Sequence, residues 1–291
     1  MPTIADIGGA SIIGSRQRQE DCFMAYKLTE TVPASMYNIA KERQVSVGVL
    51  CDGMGGEGNG GMCAREAVQA FGEAFAETGS FGSQWHLRLR MGLYAANAAV
   101  MQFKQAENCA HSNSGTTLIA SVISEDNLHF VSVGDSPIYL FQKSERSNEY
   151  KATRINDSHA VWYHYFMQDG TMYQQEVSKE RAGEINKNAS AESYCKTKGL
   201  YCAVLGRTIG YLDESGDKRV ISLRNGDIVM LCSDGVSNTI DESEMSNIMR
   251  NYGAAHHTAN EVAYQIMQAV KQNAQPRQDN ASCIIFKVRI D

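Results

Sequence analysis

The chain has 291 residues, of which 43% are hydrophobic and 21% charged, and its net charge is −6. That length and composition allow one large domain or two ordinary ones with a sizeable core. The acidic balance excludes binding driven by nucleic-acid phosphates, and no apolar run approaches the roughly 18 residues of a membrane helix.

Residues 1–21 lack a basic start followed by a long apolar stretch, so no signal peptide is expected. The eight cysteines form no CxxC pair, which argues against zinc ligation. Cys51, Cys232 and Cys283 sit inside apolar runs and read as small buried hydrophobes of a reduced, cytoplasmic protein. CFMAYK, at 22–27, reads as a strand, and 45–51 as a buried one. That second run stops on Asp52, and six of the next nine residues are glycine. Residues 62–77 follow as a helix with Ala64, Val68, Phe71 and Phe75 on one face. A second helix spans 84–107, with Leu89, Leu93, Ala96, Val100 and Phe103 in register. Strands at 116–123, 128–134 and 137–141 form a meander. From 142 to 201 the chain is polar and rich in tyrosine, and it reads as a flap or insertion on the surface. Strands at 219–223, 227–233 and 282–288 complete the pattern, with helices at 241–252 and 258–273. Meanders with paired helices predict an α+β fold of antiparallel sheets flanked by helix pairs, in one domain over 1–291.

The glycine loop fits GxGxxG through Gly53, Gly55 and Gly58, but that match is weak. No second strand ends in an acid about 20 residues on, and no Lys-Ser/Thr pair follows the glycines. Asp52 would also repel a pyrophosphate. Asp52 as a ligand of a hard cation survives. Other acids also stand at the ends of apolar runs: Glu20 and Asp21, Asp135, Asp234 and Asp279. Asp157, Asp213, Asp227 and Asp241 read instead as turn or cap residues. Asp52-Gly53 and Asp234-Gly235 repeat one device: a buried strand, an acid, then a glycine. Several acids delivered to one sheet end make a pocket that needs cations. Two divalent ions bridged by one carboxylate suit phosphate-ester hydrolysis. Such a site needs a guanidinium for phosphate, and spacing does not choose between Arg16 and Arg18.

Six segments in order, SRQRQED, VLCDGMGGEGNGG, SGTTLIASVI, FVSVGDSPIYLF, LCSDGVSN and QDNASCIIFKV, resemble the metal-dependent protein serine/threonine phosphatases of type 2C, the PPM family, in its bacterial form. The resemblance runs from about residue 5 to 290 and implies a four-layer αββα sandwich. It implies that Asp52 bridges two Mn2+ or Mg2+ ions, that Glu20 and the Gly53 carbonyl complete one, and that Asp234 and Asp279 hold the other. Asp21 would orient bound water, Asp135 with Asp234 would hold a third, weaker ion, and Arg16 would take the phosphate. The substrate would be a phosphorylated protein, opposing a serine/threonine kinase, for a monomeric chain without nucleic-acid or membrane partners. Three features depart from the family pattern. Met54 stands where animal members carry a histidine, Pro137 replaces an arginine, and the flap opens with Asp157-Ser158-His159. His159 and His164 read as surface residues. The alternatives are a catalytically silent binding or regulatory module on the same fold, and a hydrolase of another phosphate ester.

Overall fold

The computed structural model describes residues 3–32, 41–55, 59–81, 83–107, 113–144, 146–200, 203–204, 220–253, 256–274 and 276–290. The strands are β1 (Thr3–Ile12), β2 (Asp21–Val32), β3 (Lys41–Met54), β4 (Gly115–Thr116), β5 (Leu118–Ser124), β6 (Asn127–Val133) and β7 (Ile138–Lys143). They continue as β8 (Tyr150–Arg154), β9 (Ala160–Gln168), β10 (Thr171–Val177), β11 (Ser193–Leu200), β12 (Val220–Ser222), β13 (Ile228–Cys232) and β14 (Ala281–Ile290). The helices are α1 (Asn59–Glu77), α2 (Trp85–Ala106), α3 (Lys179–Asn186), the single turn α4 (Asp234–Ser237), α5 (Glu242–Tyr252) and α6 (Ala259–Gln272).

Two antiparallel sheets form the centre. One has the order β1-β14-β13-β7-β8 and the other β12-β6-β5-β3-β2. Their facing sides share an apolar layer that includes Leu50, Ile119, Leu231, Ile284 and Phe286. Helices α1 and α2 cover the outer face of the second sheet. Ala64, Val68, Phe71 and Phe75 pack there with Leu89, Leu93, Ala96 and Val100, as their spacing predicts. Helices α5 and α6 cover the other sheet through Met245, Met249, Val262 and Ile266. The result is four layers, αββα. Strands β5 and β13 are buried along their whole length, as unalternating apolar runs require. Asp241 caps α5 by accepting from the Glu244 N–H, and Asp227 accepts from the Arg224 N–H in a turn. The Asp213 reading lies outside the described residues.

Three expectations change. The segment 3–12 is a full strand, paired with β14 over its entire length. The strand expected at 116–123 breaks at Thr117, which leaves both ladders to serve the acid site. The polar excursion begins later than 142, because β7 runs to Lys143 and β8 pairs with it in the main sheet. Beyond Ala160 it is ordered as its own sheet, β10-β9-β11, with α3 against it. Tyr165 stacks on Tyr194 at 5.3 Å, and Lys196 stands over the Tyr165 ring at 4.7 Å.

Candidate metal centre and active site

Register places the first two acids. In the β2–β3 ladder Asp21 lies directly opposite Asp52. The Gly53 N–H donates to the Glu20 carbonyl at 3.2 Å, so the next pair along, Asp21 and Asp52, is the closer, non-hydrogen-bonded type. Both side chains then leave the sheet on the same face, at the end where Glu20 begins β2. The other sheet supplies Asp234 just past β13 and Asp279 just before β14. Asp135 closes β6 and turns the chain toward β7, from one sheet to the other. A cleft of about 480 Å³ is lined by Arg16, Glu20, Asp52, Gly53, Asp135, Asp234 and Asp279. Met54, Gly55, Thr117 and Leu200 also line it, so β11 ends at the site. Asp21 is buried and outside the lining, and its charge and that of Asp234 act on the Asp52 carboxyl. Arg18 is not in the lining; Arg16 is, and it donates to Asp279 at 2.5 Å.

The glycines bring backbones together. A Cβ on Gly53 would stand 2.5 Å from the Gly60 carbonyl group and 2.6 Å from the Glu20 carbonyl oxygen. Helix α1 therefore starts at Asn59, earlier than its apolar pattern indicates, and its first turn seats against the end of β3. Gly235 is equally tight, with the Asn280 carbonyl oxygen 2.0 Å from where a Cβ would be.

Neutral side chains fix the main chain around each acid. The Thr117 hydroxyl accepts from the Asp52 N–H at 3.0 Å, and the Thr116 hydroxyl donates to the Asp52 carbonyl at 2.9 Å. Asn280, only 3% exposed, accepts from the Glu20 N–H and donates to the carbonyls of Ile13 and Arg18. The Ser233 hydroxyl donates across the two sheets to Asp21 Oδ2 at 2.8 Å. The turn at Asp135 is held from the segment after β8. Arg154 donates to the Asp135 carbonyl, and Asn156 bonds the Ile138 N–H and the Ser136 carbonyl. His159 accepts from the Gly134 N–H at 3.0 Å and is 5% exposed. It is a buried clamp, not the surface residue its polar surroundings suggest, whereas His164 bonds Ser193 within the small sheet. Nothing local marks these clamps beyond the motifs that contain Thr117, Ser233 and Asn280.

The carboxyls are strained electrostatically. Burial, then the charges of Asp21, Asp234, Asp135 and Asp279, push Asp52 well above the carboxylate range. Burial, then Asp135 and Asp279, raise Asp234 to about 6. Burial is also the main cause that raises Asp21 and Asp135. Buried Asp21 Oδ1 has no hydrogen-bond partner. Such a donor set, all hard oxygen and of one sign, fits Mg2+ or Mn2+. Among the described residues no trio of His, Cys, Asp or Glu already stands as a ready-made site. Arg16 already pairs with Asp279.

The same four-layer arrangement is found in solved bacterial phosphatases. The chain superposes on the PstP catalytic domain solved in complex with two manganese ions, at TM-score 0.66 and 18% identity, covering 99% of this chain and 100% of that one. Mycobacterium tuberculosis serine/threonine phosphatase PstP/Ppp gives TM-score 0.65 at 20% identity, covering 98% and 99%. In sequence, the chain is 25% identical over 206 residues to serine/threonine phosphatase stp of Listeria monocytogenes, covering 70% of this chain and 71% of that protein. It is 26% identical over 206 residues to protein phosphatase PhpP of Streptococcus pneumoniae, covering 69% and 71%. Residues 36–274 match the family described as protein phosphatase 2C, and the chain belongs to that family.

Proposed function

We propose that this chain is one catalytic domain that hydrolyses phosphoserine and phosphothreonine in proteins at a dinuclear Mn2+ or Mg2+ centre. The observation that carries the reading is the convergence of Glu20, Asp52, Asp135, Asp234 and Asp279 on one cleft that Arg16 also lines. Asp52 would bridge the two ions. Glu20 and the Gly53 carbonyl would complete one, Asp234 and Asp279 the other, and Asp135 with Asp234 a third, weaker one. When bound, the ions supply charge stabilisation at phosphorus and a water that loses its proton near neutral pH.

The chain supplies the rest. The planar donors of Arg16 hold the phosphate, which must compete with Asp279 for them. Ser233 fixes one oxygen of Asp21 and leaves the other to orient water. Cys51 and Cys232 flank the site, but burial pushes both thiols well up, so neither is a nucleophile. Met54 has no proton to give the leaving group. The partner is a phosphorylated protein, and the chain acts as a cytoplasmic monomer opposing a serine/threonine kinase. Among the described residues no helix is long and apolar enough to cross a membrane.

The test is hydrolysis of a phosphothreonine peptide with Mn2+ and then with excess EDTA. Turnover that EDTA abolishes supports the reading. Absence of turnover with either ion, on phosphopeptides and small esters alike, transfers the weight to a binding module.

A further inference from the structure

A second concavity lies behind the loop that carries Arg16. It is a groove of about 430 Å³ whose apolar walls are Ile12, Ile13 and Ala274, with Lys271 also in its lining. Its remaining surface comes from Gly14, Ser15 and Gln278. The next residues along each chain segment, Arg16 and Asp279, face the catalytic cleft. The two chain segments 15–16 and 278–279 therefore border both the groove and the phosphate site. The Arg16–Asp279 ion pair ties them on the cleft side.

The two segments are braced, so the groove is preformed. Ser15 donates both its N–H and its hydroxyl to the Gln278 carbonyl at 2.9 Å. The Gln278 side chain, in a residue 5% exposed, accepts from the Thr239 hydroxyl and donates to the Gly235 carbonyl. Against this polar brace, Ile13 leaves 43% of its surface in water. Together with Ile12 and Ala274 it gives the groove an apolar wall beside the phosphate site.

We propose that this groove is a subsite for the phosphoprotein substrate, taking an apolar side chain near the phosphoresidue. The proposal rests on the phosphatase reading above. The occupant follows from continuity. A substrate chain must leave the phosphate site on both sides, and the Arg16–Asp279 wall is one of the cleft's walls. An extended peptide advances about 3.3 Å per residue and chains pack roughly 5–10 Å apart, so the groove is reached about two to four positions from the phosphoresidue. Lys271 adds a preference for an acidic neighbour of that apolar residue.

The experiment uses the full chain with Mn2+ and phosphothreonine peptides that carry Leu or Gly at each position two to four residues to either side. Wild type, Ile13→Asp and Ala274→Asp are compared, with p-nitrophenyl phosphate as the small ester that cannot reach the groove. The expected result is at least about a tenfold kcat/KM preference for Leu at one position, carried mainly by KM. Both variants lose that preference and keep their p-nitrophenyl phosphate turnover. A wild type indifferent to Leu at every position, or a preference that survives both variants, overturns the proposal. Sedimentation that changes in Ile13→Asp while peptide selectivity does not would also overturn it, and assign the groove to a second copy of the chain. Failure of wild type on peptides and small ester alike overturns the phosphatase reading itself.

Discussion

Asp234→Asn should stabilise the metal-free protein, and the structure sets the size and sign of the effect. Burial and the charges of Asp135 and Asp279 raise the Asp234 carboxyl to about 6, against an ordinary value of 3.8. That rise opposes folding by about 3 kcal/mol at pH 7. Contact with cleft water lowers the effect to roughly 1–3 kcal/mol. Because the folded value is raised, the metal-free fold is most stable below the ordinary value and loses stability as pH climbs through 6. Asparagine removes the charge, keeps the shape and can still accept from Asn238 Nδ2, at 3.2 Å in the parent. In EDTA the variant should melt roughly 2–8 °C higher than wild type at pH 8, and the gain should vanish near pH 4. Saturating Mn2+ should invert the order, since wild type then gains a neutralising ligand that the variant holds poorly. Thermal unfolding from pH 4 to 8, with and without Mn2+, measures both. A variant less stable at pH 8 in EDTA, or equally shifted at all pH values, would refute the account of stored repulsion.

Asp52→Asn should abolish phosphopeptide hydrolysis while far-UV circular dichroism stays that of wild type; surviving turnover sinks the bridging role. Arg16→Lys should raise KM for p-nitrophenyl phosphate about tenfold or more, because an ammonium keeps the charge but loses the planar fork. An unchanged KM would place the phosphate elsewhere. Asn280→Ala removes a buried amide that serves Glu20, Ile13 and Arg18. It should cost roughly 2–4 kcal/mol in denaturant melts and weaken Mn2+ binding by calorimetry. His159→Ala should cost about 1–3 kcal/mol and loosen hydrogen exchange at Gly134, which a surface histidine would not do.

The acids were legible as a set, because each ends or begins an apolar run, a place where a single acid is as readily a turn residue, as Asp227 is. The helices around them were legible from period alone, since α1, α2 and α6 each present one stripe to a sheet. Strand β1 was not. TIADIGGASI carries three small residues in mid-run, and only its full-length register with β14 makes it a strand. The small sheet was missed for a related reason. Strand β10 is exposed almost throughout, so no buried face imprints a period of two, and its order comes from ring stacking across strands. His159 was misread because its partner, Gly134, lies 25 residues away and nothing local announces a clamp. The break at Thr117 is tertiary too: its N–H donates to the Asp52 carbonyl while its hydroxyl serves the Asp52 N–H and Ser136.

The distribution of hydrogen bonds argues for what the cluster is for. Structural acids in folded proteins spend their oxygens on N–H groups, as Asp241 and Glu261 do here at helix starts. Around the cleft the main chain is instead served mainly by threonine at Asp52, asparagine at Glu20 and Ser136 and histidine at Gly134, with Arg154 on the Asp135 carbonyl. The cleft carboxyls have few partners of their own: Ser233 on Asp21, Asn238 on Asp234, and Arg16 with the Asn280 N–H on Asp279, the Arg16 pair being exposed enough for a phosphate to displace. Main chains held by these bonds resist moving apart to separate the charges, so the repulsion is retained in the fold. A cation then gains affinity from relieving it, with little rearrangement to oppose binding. Loosening a neutral clamp should therefore weaken cation binding without removing a single ligand oxygen, and that is the behaviour expected of Asn280→Ala.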